Sequence, residues 1–388
     1  MYLLIQSVVI YTLFAFLLNR NANKVTYRQI NLSIQSSKWY SLPKGYWVCI
    51  VIFMIVSGLR YKVGVDHFSY LNDYLSALEG TFEIRDSGIE LGYIFITKVF
   101  AALHIHPVFF FAALAFLQIF FVLQAMKKER DVVPYMMSVM VLGTFYMSWM
   151  NGIRQMIVAC SFMWATQFIV KRNFKKYLFW ILFAYLWHVS SVILVMPFLF
   201  AYSTFIWNKR WINIAIFIAC FVLGNNPTWI NIMTALEGFL TFLGYNNYAE
   251  QLLDLADASN LQSFSFGPRM LMMMISYISV IIFYPKVRLA FNDSNIDLYF
   301  KLFFIGVCGY YLMVNTTIVF QRPVQYFDIF ALPMIAYTLF YLKQKNIFLF
   351  FILSVASMSF VYLQCYDDFQ LPVALQHATL YQFYPLFD

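Results

Sequence analysis

Apolar stretches that approach the length of a bilayer crossing recur along almost the whole chain, with short polar turns between them. A helix needs about 20 apolar residues to cross a bilayer. The composition agrees, because 62% of the residues are hydrophobic, 11% are charged and the mean hydropathy is +0.69. A soluble fold of this composition would leave too much apolar surface in water. The sequence therefore predicts an all-α, polytopic integral membrane protein.

We predict about twelve transmembrane helices, from the roughly 20 residues that each needs. Their approximate positions are 2–18, 46–59, 107–125, 133–150, 154–170, 177–189, 190–206, 211–224, 267–284, 298–316, 325–342 and 347–363. So many spans leave no room in 388 residues for a soluble catalytic domain. No low-complexity linker or internal repeat divides the chain, and we predict a single membrane domain over residues 1–388.

The distribution of basic residues predicts the topology. The polar segment 19–45 is rich in Lys and Arg, which places it in the cytoplasm by the positive-inside rule. The apolar segment 89–104 is short, and counting it as a crossing would put the basic run at 127–130 outside. We therefore interpret it as a juxtamembrane helix on the outer surface. This topology predicts external loops at 60–106 and 225–266 and an external C-terminal tail at 364–388.

Three arginines, Arg154, Arg269 and Arg322, stand at the outer starts of predicted helices. A helix N-terminus already attracts anions, and a guanidinium adds a bidentate fork that suits phosphate oxygens. The pattern predicts a phosphorylated ligand on the outer side. The alternative is that each arginine reaches lipid headgroups or pairs with an external carboxylate such as Asp328.

The polar segment that follows the second predicted span contains Asp66. If a helix begins there, Asp66, Tyr70 and either Asp73 or Tyr74 share one face. Aromatic rings can hold sugar ring faces, and a carboxylate can bind hydroxyls or take a proton from one. Alternatively, Asp66 only caps a surface helix.

A histidine, His188, lies where two short apolar runs meet on the external side. An ionisable residue at membrane depth is a candidate functional residue, although a hydrogen-bonded core histidine is the alternative. The five cysteines have no metal-ligand spacing, and no nucleotide-binding motif is present. We expect neither a metal nor another cofactor.

Residues 58–66, Gly-Leu-Arg-Tyr-Lys-Val-Gly-Val-Asp, resemble the G-x-R-Y-x-V-G-x-D signature of the EpsG family, Wzy-like polymerases of bacterial polysaccharides. Two further pieces agree in order and spacing. Residues 151–155 read Asn-Gly-Ile-Arg-Gln before a span, and a basic turn at 171–176 precedes a span that ends in His-Val-Ser-Ser at 188–191. The resemblance covers most of the chain.

The resemblance implies a glycosyltransferase of the GT-C type in the bacterial inner membrane, with its active site facing the periplasm. Its donor would be a polyprenyl-diphosphate-linked oligosaccharide, polymerised into exopolysaccharide, capsule or O-antigen. Asp66 would be the general base, with His188 orienting it, contacting the diphosphate or taking the proton itself. The diphosphate would bind Arg154, Arg269 and Arg322, with Arg60 as a weaker fourth residue. Tyr70, Asp73 and Tyr74 would contact sugar.

Two other functions fit parts of the pattern. A transporter or flippase of lipid-linked oligosaccharide also needs outward cationic sites, but coupled transporters usually bury acidic residues at mid-membrane. A non-catalytic membrane subunit of a polysaccharide biosynthesis complex would not need the arginines. Expected partners are the lipid bilayer and, in the polymerase case, a chain-length regulator and a flippase. We expect no nucleic-acid partner.

Overall fold

The computed structural model describes residues 1–36, 41–82, 90–201, 209–226, 229, 267–291, 294–315, 318–372, 375–376 and 379–385. Most of the predicted 225–266 loop and part of the 60–106 loop, 83–89, lie outside these residues, as does His377 in the tail. The described chain is almost entirely helical, as predicted.

The described residues in the first half of the chain form ten α-helices and one short strand. They are α1 (Tyr2–Asn23), α2 (Tyr27–Gln35), α3 (Lys44–Gly58), β1 (Arg60–Tyr61), α4 (His67–Leu78), α5 (Leu91–Ala102), α6 (Pro107–Ala125), α7 (Val133–Leu142), α8 (Phe145–Asn151), α9 (Ile153–Val170) and α10 (Phe174–Trp187). The predicted juxtamembrane segment 89–104 is therefore a helix of its own, α5.

The second half begins with a 3-10 helix at Val189–Val195. The elements that follow are α11 (Met196–Phe200), α12 (Arg210–Gly224), α13 (Pro268–Phe291), α14 (Ser294–Met313), α15 (Ile318–Asp328), α16 (Ala331–Lys345), α17 (Ile347–Met358), α18 (Phe360–Gln370) and β2 (Gln382–Phe383).

Six helical stretches in the described part of the chain are long and apolar enough to cross a membrane. They are Tyr2–Asn23, Pro107–Ala125, Ile153–Val170, Pro268–Phe291, Asn295–Met313 and Ile347–Gln370. The protein is therefore a membrane protein. Several other predicted spans are shorter or interrupted helices. The predicted span 133–150, for example, breaks at Thr144, whose φ of +65° is incompatible with a continuous α-helix.

The helices pack around one apolar core. Helix α1 lies against α3 and α7, α3 against α6, and α6 against α9. In the second half, α14 contacts α12 and α15, and α15 returns to contact α9. Helix α9 is thus a central element, and its first residues lie near the end of α8 and contact the middle of α15.

The C-terminal tail folds back onto the segment that follows α3. Strand β2 pairs antiparallel with β1, with Arg60 opposite Phe383 and Tyr61 opposite Gln382. The Tyr384 N–H donates to the Leu59 carbonyl at 2.7 Å, and the Tyr381 hydroxyl donates to the Val56 carbonyl at 2.6 Å. The sequence alone did not predict this two-stranded pairing.

A buried carboxylate attaches the same tail to the preceding helix. Asp368 in α18 accepts hydrogen bonds from the N–H groups of Thr379 and Leu380 at 3.1 and 3.4 Å. Helix α18 continues to Gln370, so the non-helical part of the predicted 364–388 tail begins at residue 371. The tail is part of the fold next to residues 58–66.

Candidate active site

Residues 59–66, which carry most of the G-x-R-Y-x-V-G-x-D signature, form a tight connection between α3 and α4. Gly64 has φ +94°, in the left-handed region that favours glycine. A Cβ atom there would lie 3.4 Å from both Arg60 Nη1 and Asn151 Oδ1. The glycine therefore allows both the turn and its close approach to the end of α8.

A hydrogen bond fixes Asp66 to that end of α8. The Asp66 N–H donates to Asn151 Oδ1 at 3.0 Å. An asparagine just before a helix often caps it, but the N-cap of α9 is Gly152 rather than Asn151. The amide oxygen of Asn151 is instead used to hold the signature loop.

Asp66 immediately precedes α4, as predicted, but its side chain makes no capping hydrogen bond to that helix. Burial raises the pKa of Asp66 above its ordinary value, while the positive charges of Arg322, Arg154 and Arg60 oppose the rise. The structure therefore brings three of the four predicted arginines close enough to act on this carboxylate. A carboxyl group with a raised pKa and cationic neighbours is suited to proton transfer beside an anion.

A second carboxylate, Glu90, joins two of the predicted site residues. Glu90 Oε2 accepts from Arg154 Nη1 at 2.5 Å, and Glu90 Oε1 lies 2.5 Å from His188 Nδ1. The Glu90 side chain is 6% exposed, against 31% for Arg154 and 19% for His188. The carboxylate is thus buried behind two side chains that remain partly accessible.

The surroundings of Glu90 favour its ionised form. Burial opposes its ionisation, but the hydrogen bond from His188 and the charges of Arg154 and His188 outweigh burial and hold its pKa below the ordinary value. The Arg154 guanidinium also lies 5.3 Å from the Tyr93 ring and 5.9 Å from the Tyr70 ring. These contacts hold Arg154 in one orientation.

Close helix packing brings Glu90 to His188. Gly92, near the start of α5, faces the end of α10, where an added Cβ atom would lie 2.8 Å from the Leu186 carbonyl oxygen. Only a residue without Cβ permits this approach. Because Glu90 and His188 each lie two residues from this contact, the packing of α5 on α10 sets their distance.

Arg322 is placed differently from the prediction. It lies in the middle of α15, with Pro323 inside the same helix, so the prediction that it begins a helix is wrong. Its carbonyl accepts from Gln155 Nε2 at 2.6 Å, which ties α15 to the start of α9. Arg322 is exposed, and its charge acts on Asp66.

Arg269 is the second residue of α13, as predicted for a helix start. Its guanidinium is exposed and donates to Gln364 Oε1 on α18. It is not among the charges that shift the pKa of Asp66. The described contacts thus place Arg269 with α18 rather than with the cluster of Asp66, Glu90, Arg154 and Arg322.

Arg60 is fully buried. Its Nη1 donates to the Val63 carbonyl at 2.6 Å, and its guanidinium lies 5.1 Å from the Phe111 ring. Its Nε and Nη2 atoms have no hydrogen-bond partner among the described residues. In this structure Arg60 supports the signature loop from inside.

The three predicted sugar-contact residues differ in access. Tyr74 is fully buried, with its ring stacked on Phe110 at 4.5 Å, so its faces are already covered by protein. Tyr70 is nearly buried, and its ring faces Arg154. Asp73 is partly exposed and accepts from the Tyr93 hydroxyl at 3.5 Å.

Sequence reasoning missed Glu90. The residue stands directly before an apolar helix, where a carboxylate is expected to complement the helix dipole. A carboxylate at a helix start is therefore not by itself a sign of a functional site. The contacts of Glu90 with Arg154 and His188 depend on how α5 packs. Among the described residues, no group of three His, Cys, Asp or Glu side chains could hold a metal ion.

The sequence model of the EpsG family matches residues 45–382, which include every residue of this cluster. No curated protein and no solved structure matches the chain. The family match confirms the resemblance inferred from residues 58–66, 151–155 and 171–191. The chain belongs to the EpsG family.

Proposed function

We propose that the protein is a polysaccharide polymerase of the bacterial inner membrane. It joins polyprenyl-diphosphate-linked oligosaccharide repeat units at the periplasmic face, for exopolysaccharide, capsule or O-antigen. The proposal includes one membrane domain over residues 1–388 with about twelve crossings, from the length each requires, in a GT-C arrangement. Membership in the EpsG family supports this function.

One observation in the site carries the proposal. Arg154 and Arg322 come from helices that are far apart in sequence, yet the Arg322 carbonyl accepts a hydrogen bond from Gln155, the residue after Arg154, and both charges act on Asp66. Guanidinium groups beside a carboxylate can hold a diphosphate next to the group that handles the acceptor hydroxyl. A purely structural ion pair would need only one of these arginines.

The reaction requires little chemistry from the protein. An acceptor hydroxyl at the nonreducing end of one unit attacks the anomeric carbon of the growing chain and forms the new C–O bond. The anomeric C–O bond to the carrier breaks, and its electron pair leaves with the polyprenyl diphosphate. The hydroxyl proton passes to a base on the protein. Positioning and charge stabilisation supply the rest.

The residues take the following roles. Arg154 and Arg322 bind the diphosphate. Arg269 contacts the donor outside the cluster of Asp66, Glu90, Arg154 and Arg322. Arg60 acts indirectly, because it supports the signature loop. Asp66 and His188 are the two side chains that can accept the proton. Tyr70 and Asp73 border the sugar, whereas Tyr74 supports them from the core.

Polymerisation by the purified protein tests this function. Wild-type protein in detergent, incubated with lipid-linked repeat units, should give a ladder of polymer lengths, and Arg154→Ala should abolish it. The matched control is Arg172→Ala, which changes an exposed arginine in the turn between α9 and α10. In vesicles, movement of the lipid-linked unit across the bilayer without any ladder would instead indicate a transporter. A protein that does neither would indicate a non-catalytic subunit.

Sidedness has its own test. In a cysteine-free background, Glu79→Cys lies at the exposed end of α4 and Lys171→Cys in the exposed turn after α9. A membrane-impermeant maleimide should label position 79 in intact cells and position 171 only after the cells are opened. The reverse pattern would place the cluster in the cytoplasm and contradict the periplasmic site.

A further inference from the structure

Glu90 is the more deeply buried of the two carboxylates in the cluster, and no step of the proposed reaction involves it. One oxygen contacts Arg154 and the other contacts His188, each at 2.5 Å. A buried carboxylate is costly unless its partners are well placed. Glu90 therefore constrains the orientation of both side chains.

The contact with His188 determines the state of its ring. An ionised carboxylate only accepts hydrogen bonds, so the hydrogen of neutral His188 must lie on Nδ1. The lone pair then lies on Nε2, at the opposite edge of the ring. A histidine in this state can accept a proton at Nε2, and the adjacent carboxylate stabilises the resulting cation.

We propose that Glu90 is a positioning residue that makes His188 the proton acceptor of the glycosyl transfer. The inference rests on the proposed polymerase function. The acceptor hydroxyl gives its proton to His188 Nε2 as its oxygen bonds to the anomeric carbon, and the diphosphate leaves with the electron pair. Afterwards the imidazolium returns the proton to solvent.

The surroundings of Asp66 support this division of roles. Asp66 is under the influence of Arg322, Arg154 and Arg60, the charges that would attract the diphosphate. His188 instead contacts a carboxylate and lies in a T-shaped arrangement with Tyr326 at a centroid distance of 6.4 Å. The described residues show no hydrogen bond between His188 and Asp66. Asp66 then binds a sugar hydroxyl and orients the arginines.

Kinetics of charge-neutral and conservative variants test the inference. Glu90→Gln should lower kcat about 10²- to 10⁴-fold, the usual size of a lost acid–base contribution, with KM for the donor within a few-fold of wild type. Glu90→Asp should restore part of kcat. The matched control Glu79→Gln, at an exposed acid of the same loop, should leave both constants unchanged.

The pH dependence of kcat/KM identifies the base. Wild-type activity should fall at acidic pH as the base is protonated. If His188 is the base, this acidic limb persists in Asp66→Asn and disappears in His188→Gln. A limb that disappears in Asp66→Asn and persists in His188→Gln would overturn the inference and assign the proton to Asp66.

Rates of the Glu90 variant, measured with and without the His188 change, show whether Glu90 affects the reaction through His188 or through Arg154. In a His188→Gln background, Glu90→Gln should cause little further loss, because both changes remove the same function. Gly92→Ala, which pushes α5 away from α10, should reproduce the loss of kcat without altering either partner. A full additional loss in the double variant, or a change confined to KM, would show that Glu90 acts through Arg154.

The two levels of inference fail in different ways. Wild-type protein that makes no polymer overturns the polymerase function and this inference with it. Active wild-type protein whose Glu90→Gln variant keeps its kcat overturns only the role of Glu90. Melting temperatures of each variant in detergent, compared with wild type, show whether a loss of kcat comes from unfolding.

Discussion

The backbone N–H of Asp66 donates to the side-chain oxygen of Asn151 across 85 positions of sequence. This bond connects the signature loop to the last residue of α8, two residues before Ile153 begins the helix that carries Arg154. The carboxylate and the guanidinium are thereby held to the same point of the backbone. The relative position of Asp66 and the anion site therefore depends on Asn151.

Asn151→Ala should therefore reduce polymerisation by about tenfold or more, while costing about 1–3 kcal/mol for the unsatisfied N–H. The matched control is Asn173→Ala, which removes the side-chain cap of α10 and costs a similar amount of stability. Polymer assays and thermal melts of both variants give the comparison. Equal activity at equal stability loss would show that Asn151 only stabilises the fold.

Gly64→Ala should abolish most activity. Alanine at a positive φ costs about 1–2 kcal/mol, and its Cβ would also contact Arg60 and Asn151. Gly80 offers a matched control, since it has φ +74° and open space around its Cβ position. Gly80→Ala should lower the melting temperature similarly but retain polymer synthesis. A similar loss of activity in both variants would remove the special role of Gly64.

The arginines should divide into two groups. Arg154→Lys and Arg322→Lys keep the charge but lose the planar fork, so each should lower activity about tenfold, and the double variant should show a non-additive loss. Arg269→Lys, next to Gln364, should have a smaller effect that adds to either of the others. Initial rates of ladder formation measure this. Non-additivity between Arg269 and Arg154 would place all three on one diphosphate.

The C-terminal tail should be required for activity, although none of its described residues belongs to the cluster. Tyr384 packs on Tyr61 at 5.4 Å and on His106 at 5.3 Å between ring centroids. Tyr384→Ala should cost about 1–3 kcal/mol through two aromatic contacts and loosen the strand pair beside Arg60. Tyr366→Ala, at a mostly exposed tyrosine of α18, is the control. Unchanged activity in Tyr384→Ala would separate the tail from the site.

Glu90 should make the folded protein sensitive to acid. Because its folded-state pKa is below the ordinary value of 4.5, its ion pairs stabilise the fold above that pH. This contribution is lost as the pH falls through the lower folded-state pKa. The melting temperature of wild type should therefore fall more steeply below about pH 4.5 than that of Glu90→Gln. Parallel curves for the two proteins would contradict an ionised, paired Glu90.

The membrane class, the helical fold and the family could all be predicted from the amino-acid sequence. Apolar stretches of near-membrane length leave a chain few alternatives, because backbone polar groups in lipid must be satisfied within helices. Residues 58–66 and 151–155 are local motifs, so Asp66 and Arg154 could be recognised without knowledge of packing. His188 could be selected because an ionisable side chain at membrane depth needs a reason to be there.

Which of these side chains contact one another depends on how the helices pack. Glu90 and His188 are 98 positions apart, and their contact depends on the close approach that Gly92 permits between α5 and α10. Arg322 lies in the middle of α15 rather than at a helix start, and Tyr74 is buried in the core. The pairing of β2 with β1 places the C-terminal tail against the signature loop. Periodicity predicts the face of one helix, whereas contacts between helices depend on packing distances and angles that no local pattern encodes.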